Sequence, residues 1–323
     1  MAAQAEDPRP AQAAVAVNAA PALAEAAIGT SQPPETLRAA RSKAASKVAR
    51  SAKPDETLDA LLFVDTNVLL DFYRIRKSDI SLKYLELLEA CKDRLITTSQ
   101  VEMEYKKNRQ AAIVESLTSF GLPNWEKLSG PAIVAEIQAM KMIEKRKKEI
   151  SQQHKIVDQK IQKILKNPIS NDPVYKCLQR LFKNSSDYNL SREEGKRFAI
   201  RNLARKRFVL GYPPRKKDDT SIGDAINWEW IVQCAVDSGK HIIIVTRDRD
   251  YGATYNGESF LNDWLRQEFS ERVSFKRKVI LTDKLAKALR MVQAAVTKEM
   301  EEEENRMIAE VPDSSPESSV GEA

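Results

Sequence analysis

The chain has 323 residues, of which 42% are hydrophobic, so it can form one large domain or two small ones with a packed core. The formal net charge is +6, and no apolar run approaches the roughly 18 residues of a membrane helix, so a membrane protein is not expected. Its two histidines (His154 and His241) and three scattered cysteines argue against a Ser-His-Asp triad or a zinc site, which leaves carboxylates to carry any chemistry.

The two ends of the chain differ in composition from the rest. Residues 1–55 are rich in Ala, Pro and Ser and contain no aromatic residue, which predicts a disordered tail. This segment has no basic stretch of the kind that begins a secretory signal, so a cytoplasmic location is expected. Residues 298–323 hold nine acidic and two basic residues, which predicts an acidic disordered tail and leaves +13 for the remaining chain.

Between the tails, strands and helices alternate. We predict strands at 61–64, 94–98, 241–245 and 278–281, and helices at 81–93, 99–117, 223–239, 259–270 and 282–296. The strands are almost wholly apolar, which is typical of a parallel sheet that is covered by helices on both faces. The predicted fold is therefore α/β, in a domain that spans residues 56–297.

The stretch 131–217 does not fit this alternation, and we interpret it as a helical insertion in the domain. Ile143, Ile150, Val157 and Ile164 recur every seven residues without an intervening Gly or Pro, which predicts one long helix packed on a partner helix. The predicted partner is the segment 191–209, where Ser191 and Glu194 have the spacing of a capping box. Residues 141–217 contain 22 Lys and Arg against 7 Asp and Glu, which is either a solvated face or a surface for phosphate groups.

Four acidic residues are predicted at the carboxyl ends of strands, where ligands bind in open parallel sheets. Asp65 follows the strand 61–64, and Asp248 follows the strand 241–245. Asp224 begins the helix 223–239, and Glu104 lies in the helix after the strand 94–98. Each Asp alone has a simpler interpretation, because Asp often caps helices and turns and pairs with nearby bases in polar loops.

Glu102 and Glu104 lie on different faces of the predicted helix, and we assign them different roles. Ser99 and Glu102 have the spacing of a capping box, so Glu102 is assigned a structural role. Glu104 shares a face with Val101 and Tyr105, and it therefore leans toward the core. Four clustered carboxylates repel one another unless a cation neutralises them, and carboxylate oxygens suit Mg²⁺ or Mn²⁺. With a basic insertion nearby, the expected substrate is a nucleic-acid phosphodiester.

Four motifs in order, "FVDTNVLLDFY", "TTSQVEMEYKKNR", "GDAINWEW" and "IIIVTRDRDYG", resemble the PIN domain superfamily, most closely its larger members with a long helical insertion. The resemblance covers about residues 60–290. It implies a nuclease that uses Mg²⁺ or Mn²⁺ and acts mostly on single-stranded RNA. It also implies a homodimer, and it leaves open a toxin or defence effector with an inhibitory protein partner.

The resemblance carries over residue by residue. Asp65, Glu104, Asp224 and Asp248 match the metal-binding and catalytic acids, with Asp250 the alternative for the fourth position. Asn67 and Thr246 match positions that orient the site. Arg247 departs from the acidic or Asn residue that is commoner there, and it either contacts a phosphate or weakens metal binding. The residues predicted to bind nucleic acid are Arg109, Arg215, Lys216, Lys217 and Arg247.

Two other functions remain open. One is a catalytically weak or inactive RNA-binding module, which is suggested by Arg247 and the basic insertion. The other is a phosphatase with an Asp nucleophile, since such enzymes also have an Asp at the end of a strand. That chemistry usually needs a second acid two residues after the first, and this chain has Asn67 there.

Overall fold

The computed structural model describes residues 57–118, 120–122, 124–128, 130–215 and 221–310. The strands in these segments are β1 (Ala60–Val64), β2 (Leu95–Thr98), β3 (Asn189–Leu190), β4 (His241–Val245), β5 (Gly252–Tyr255), β6 (Glu258–Leu261) and β7 (Val279–Thr282). The helices of the first half are α1 (Thr66–Leu70), α2 (Ser78–Ala90), α3 (Ser99–Ser116), α4 (Gln138–Lys166), α5 (Pro168–Asn171) and α6 (Pro173–Phe182). The later helices are α7 (Arg197–Val209), α8 (Gly223–Ser238), α9 (Asp263–Arg272), α10 (Leu285–Met291) and α11 (Lys298–Glu310).

Five strands form one parallel sheet in the order β3-β2-β1-β4-β7, which confirms the predicted α/β fold. The central strands β1 and β4 pair along their whole length, from Ala60 opposite His241 to Val64 opposite Val245. Every residue of β1 is buried, and so are the four residues of β4 after His241. Apolar side chains on both faces of these strands explain why their sequence is continuous rather than alternating.

The segment 258–261 is a strand, although the sequence predicted a helix from residue 259. It pairs with β5 in an antiparallel hairpin whose turn is Asn256–Gly257. Both turn residues have positive φ, +50° and +75°, and Asn-Gly is the pair that tolerates this conformation best. Asn262 then caps α9, because its side chain accepts a hydrogen bond from the backbone N–H of Trp264. The prediction of one helix over 259–270 was therefore wrong for its first four residues.

The two helices that were predicted to pair inside the stretch 131–217 do not follow the prediction. The long helix α4 forms, but none of its residues is buried, and Ile143, Ile150 and Val157 are 36–47% exposed. The segment 191–196 is not helical, so the predicted capping box does not form and α7 begins at Arg197. Its main packing partner is α8.

Part of the predicted insertion belongs to the central core. β3 extends the sheet by pairing with β2, and α6 buries Val174, Cys177, Leu178, Leu181 and Phe182 in the same core as β1. Asp172 caps α6 by accepting a hydrogen bond from the N–H of Tyr175. The helices α4 and α5 are thus the part of 131–217 that agrees best with the predicted insertion.

The acidic segment after residue 297 is partly folded. Residues 298–310 form α11, which buries Met300, Glu303, Glu304 and Met307, so the prediction of a disordered tail from residue 298 is wrong for this part. The predicted tail 1–55 and residues 311–323 lie outside the described residues. Among the helices that the structure describes, none is long and apolar enough to cross a membrane.

Candidate active site at the carboxyl edge of the sheet

The sheet places a crevice where β1 and β4 lie side by side. The chain moves from β1 outward to β2 and β3, then returns to the other side of β1 to form β4 and β7. Such a reversal of strand order opens a crevice at the carboxyl ends of the two central strands, and ligands bind there in this class of fold. Asp65 directly follows β1 and Thr246 directly follows β4, so these residues line that crevice.

Asp65 is buried, with 4% of its surface exposed, and its carboxylate accepts three hydrogen bonds. The backbone N–H of Thr66 donates to Oδ1 at 2.7 Å. The Asn67 side-chain amide donates to Oδ2 at 3.0 Å, and the Thr246 hydroxyl donates to the same oxygen at 2.7 Å. Asp65 therefore does cap α1, as the simpler interpretation held, but it also joins the ends of β1 and β4.

Asn67 and Thr246, which the sequence predicted to orient the site, both contact Asp65. Thr246 accepts hydrogen bonds from the N–H of Asp248 at 3.0 Å and from the Asn67 amide at 3.2 Å. The side-chain oxygen Oδ1 of Asn67 accepts a hydrogen bond from the backbone N–H of Arg247 at 3.2 Å. Because each polar group forms a hydrogen bond with the next, the network determines the direction of the Asp65 carboxylate.

Glu104 reaches the same crevice from α3. Its Oε2 accepts a hydrogen bond from the Thr66 hydroxyl at 3.2 Å, and its Oε1 accepts from the Gln100 amide at 2.6 Å. Thr66 thus bonds to the carboxylates of both Asp65 and Glu104. The capping box predicted with Ser99 is absent, because Thr98 is the N-cap of α3 and Glu102 pairs with Lys106 on the surface.

Asp224 lies in the first turn of α8, where Ile222 is the N-cap and makes no side-chain capping bond. Gly223 brings this turn against α3, because a Cβ atom at residue 223 would lie 2.4 Å from Oε1 of Glu104. A larger residue at 223 would therefore displace the side-chain ends of Glu104 and Gln100, and glycine permits the close approach of Glu104 to the start of α8. The hydroxyl of the buried Tyr251 lies 3.5 Å from the Asp224 carbonyl oxygen.

The acids of the crevice influence one another electrostatically. Burial raises the pKa of Asp65 to about 6, and the negative charges of Asp248 and Glu104 add to this effect against the hydrogen bond from Thr246. Burial also raises the pKa of Tyr251, and Asp224, Asp65 and Glu104 contribute to this shift. The fold therefore brings the four predicted acids into one neighbourhood.

The donor chemistry of this neighbourhood fits a hard divalent cation, because it consists of carboxylate oxygens. The spacing does not define a metal centre. Within the described segments, no three side chains of His, Cys, Asp or Glu are grouped so that they could hold an ion. The assignment of these four acids as metal ligands therefore stays a prediction.

Two residues that were predicted to bind nucleic acid have structural roles instead. Arg109 is 3% exposed and makes a buried ion pair with Asp172 at 2.7 Å. Arg247 is held between two buried carboxylates, Asp71 at 2.9 Å and Glu304 at 3.2 Å. Neither guanidinium is placed to receive a phosphate, so these two assignments were wrong.

The remaining predicted nucleic-acid contacts lie before α8. Arg215 is exposed, and its guanidinium stacks on the ring of Phe208 at the end of α7. Lys216 and Lys217 lie outside the described residues.

The sequence interpretation missed several residues of the crevice: Thr66, Gln100, Gly223 and Tyr251. Two of them had a signal that could have identified them. Gln100 lies four residues before Glu104, on the same helix face, and Thr66 directly follows Asp65.

Comparison with known families gives one result that accounts for this arrangement. The family model for the PIN domain matches residues 62–251, which is 190 of the 323 residues and includes all four candidate acids. Comparisons with curated proteins and with solved structures gave no match. PIN domains generally have a nuclease-like fold and interact with nucleic acid, which agrees with acids at the carboxyl edge of a parallel sheet. This chain belongs to the PIN domain family.

Proposed function

We propose that the protein is a metal-dependent endonuclease that hydrolyses phosphodiester bonds in single-stranded RNA. The observation that carries the proposal is the network around Asp65 at the strand-order reversal, where Thr66 joins the carboxylates of Asp65 and Glu104. A buried carboxylate that accepts hydrogen bonds from neutral donors and lies near other acids does not serve as half of a structural ion pair. It is a good position for a cation ligand.

In this proposal Asp65, Glu104, Asp224 and Asp248 hold Mg²⁺ or Mn²⁺. When bound, such an ion lowers the pKa of a water molecule and stabilises charge on a phosphoryl oxygen. The chain contributes orientation: Asn67 and Thr246 hold Oδ2 of Asp65, and Gln100 and Thr66 hold the two oxygens of Glu104.

The preference for nucleic acid is supported by exposed basic residues on α4 and α7. Nine Lys and Arg residues against three acids lie along α4. On α7, Arg201, Arg205 and Lys206 are exposed, while Arg207 is buried in an ion pair with Glu229. Basic side chains that face solvent attract a phosphate backbone and release its counterions. The three free cysteines are consistent with the reducing cytoplasm that we include in the proposal. A homodimer and an inhibitory protein partner remain predictions from the family resemblance.

The test is cleavage of a panel of single- and double-stranded RNA and DNA in the presence of Mn²⁺. Asp65→Asn is expected to abolish cleavage and to leave RNA binding within about twofold, because it removes one charge at nearly constant volume. Asp237→Asn is the matched control, since Asp237, in the last turn of α8, forms an exposed pair with Lys196. Wild-type protein that cuts no member of the panel, or Asp65→Asn that cuts normally, contradicts the proposal.

An RNA-binding module without catalysis is the second candidate. It is favoured by the absence of a three-ligand acid group among the residues that the structure describes. Arg247 favours this candidate less than its sequence position indicated, because Asp71 and Glu304 hold its guanidinium. RNA binding that persists in a chelator, with no cleavage at high enzyme concentration, would favour this candidate.

A further inference from the structure

Two consecutive buried glutamates on α11 each hold backbone amides near the start of a different helix. Glu303 accepts hydrogen bonds from the backbone N–H groups of Arg76 and Lys77, immediately before α2. Glu304 accepts from those of Leu285 at 2.6 Å and Ala286 at 2.9 Å, at the start of α10. Glu304 therefore caps α10, because it satisfies amide groups that have no partner within their own helix.

Only one of these two glutamates is connected to the crevice in the described structure. Oε1 of Glu304 lies 3.2 Å from the guanidinium of Arg247, whose Nε also binds Asp71 at 2.9 Å. The backbone N–H of Arg247 donates to Asn67, and the amide of Asn67 donates to Asp65. A continuous chain of contacts therefore runs from Glu304 through Arg247 and Asn67 to the candidate ligand Asp65.

Glu303 provides a contrast at nearly the same place. It is 2% exposed and Glu304 is 3% exposed, so the two are equally buried. Its charge partner is Arg306, on α11 itself. The two side chains differ in what they hold: Glu303 holds the start of α2, and Glu304 holds the residue that follows Thr246.

The geometry points to Glu304 as a positioning residue for the site, and this inference rests on the proposed function. Glu304 and Asp71 clamp the Arg247 guanidinium, which keeps the segment after β4 in the conformation that Asn67 recognises. The clamp also keeps a cation from turning toward the acids of the crevice, where it would compete with a metal ion. Glu304 lies outside the segment 62–251 that matches the family model, so α11 adds this contact to the family's core.

The first test measures hydrogen exchange in the complete, metal-free chain and does not depend on activity. Glu304→Gln is expected to speed exchange in the segment 246–251 about tenfold, because a neutral amide cannot form the ion pair with Arg247. Glu303→Gln is the matched control, and it is expected to speed exchange at the start of α2 while leaving 246–251 unchanged. Equal effects of both variants on 246–251, or none from Glu304→Gln, overturn the inference.

The second test separates positioning from general stability. With Mn²⁺, Glu304→Gln is expected to lower kcat about tenfold and to leave KM within about twofold, because the contacts that orient Asp65 are weakened while the basic surface is intact. Glu303→Gln is expected to change neither constant. A rise in KM at unchanged kcat, or equal losses in the two variants, would mean that Glu304 has only a structural role.

A further variant keeps the inference testable if Glu304→Gln does not fold. Arg247→Lys retains the positive charge but cannot reach both Glu304 and Asp71 in the geometry of a guanidinium. It is expected to speed exchange in 246–251 and to lower kcat in the same way, and a normal result for both overturns the inference. If wild-type protein cuts nothing, the proposed function fails, while the exchange experiment still decides whether Glu304 holds this segment.

Discussion

The helices α4 and α11 carry opposite charge, and the structure uses them in opposite ways. α4 has 29 residues with a regular apolar repeat, and none of them is buried. α11 has 13 residues, six of them acidic, and it buries four side chains, including two of the acids. An apolar repeat therefore predicts a helix but not a neighbour that covers it, and an acidic composition does not predict exposure. A side chain is buried where other elements provide the apolar contacts, hydrogen-bond donors or opposite charges that it needs.

The largest expected effect concerns the point where α4 is attached to the core. Arg109 on α3 donates to the carbonyl oxygen of Ile164 in the last turn of α4, and it pairs with buried Asp172. Arg109→Ala is expected to lower the free energy of unfolding by about 3–5 kcal/mol, because it leaves a buried carboxylate without its cation. Denaturant unfolding followed by tryptophan fluorescence measures this change.

The control for Arg109 is Lys106, one turn earlier on α3, whose pair with Glu102 is on the surface. Lys106→Ala is expected to cost only about 0.2–1 kcal/mol, since water screens an exposed pair. Similar losses for the two variants would contradict the assignment of Arg109 to the core.

The next prediction compares one methionine on each helix. Met300 on α11 is 1% exposed, and Met142 on α4 is 41% exposed. Met300→Ala is expected to cost about 2–5 kcal/mol of unfolding free energy through the lost apolar contacts and the cavity. Met142→Ala is expected to stay within about 0.5 kcal/mol. If Met142→Ala costs as much as Met300→Ala, then α4 is covered in solution, and the contrast between the helices does not hold.

A pH prediction compares the two buried acids Glu304 and Asp65. Glu304 faces a guanidinium, whereas the groups that bond to Asp65 are neutral donors. The pKa of Asp65 is raised from 3.8 to about 6, so the folded state retains a proton that the unfolded state releases. This stabilisation is complete below pH 3.8 and is lost as the pH rises through about 6.

The total loss expected from Asp65 is about 2–3 kcal/mol, from a shift of roughly two pKa units. Urea unfolding of the metal-free protein between pH 4 and pH 8 measures it. Asp65→Asn should remove this part of the pH dependence, and an unchanged slope in that variant would show that another group is responsible.

The smallest expected effect on stability concerns the charges of α4. Lys145 and Lys148 are exposed, and exchanging both for Glu is expected to change the unfolding free energy by less than about 0.5 kcal/mol. RNA affinity is expected to fall about tenfold at moderate salt, with a shallower dependence on salt concentration, because phosphate contacts are lost.

The matched control for α4 is the same charge change on another part of the chain, Lys83→Glu with Lys92→Glu, where both residues are exposed. A filter-binding or fluorescence titration at several salt concentrations compares the two variants. Equal losses of affinity would mean that net charge matters and that α4 is not the specific surface.

Much of the fold and of the candidate site could be predicted from local sequence. A continuous apolar strand such as 241–245 is typical of a parallel sheet that is covered on both faces. The helix α8 ended at Gly239, as predicted, and this glycine has the left-handed conformation. The three Asp residues were identified because each follows a strand or opens a helix at the same edge, and Glu104 was identified from its face of the helix after the strand 94–98. The Asn256–Gly257 hairpin was also readable from its turn residues, but the apolar residues after it were assigned to a helix.

The roles of individual charges could not be predicted in this way. Arg109 and Arg247 were taken for phosphate contacts because the sequence does not show that Asp172, Asp71 and Glu304 lie beside them. Those partners are 57 to 176 residues away along the chain, so only the packed fold brings them together.

The sequence by itself determined the parallel sheet and the set of acids at its carboxyl edge, since both follow from apolar runs and from the residues that end them. The tertiary structure decided which charges are paired inside and which face solvent. Part of the acidic segment that was predicted to be disordered packs as α11, whereas no residue of α4 is buried. The physical reason is that a buried charge needs a specific partner, and that partner is set by contacts between distant segments rather than by neighbouring residues.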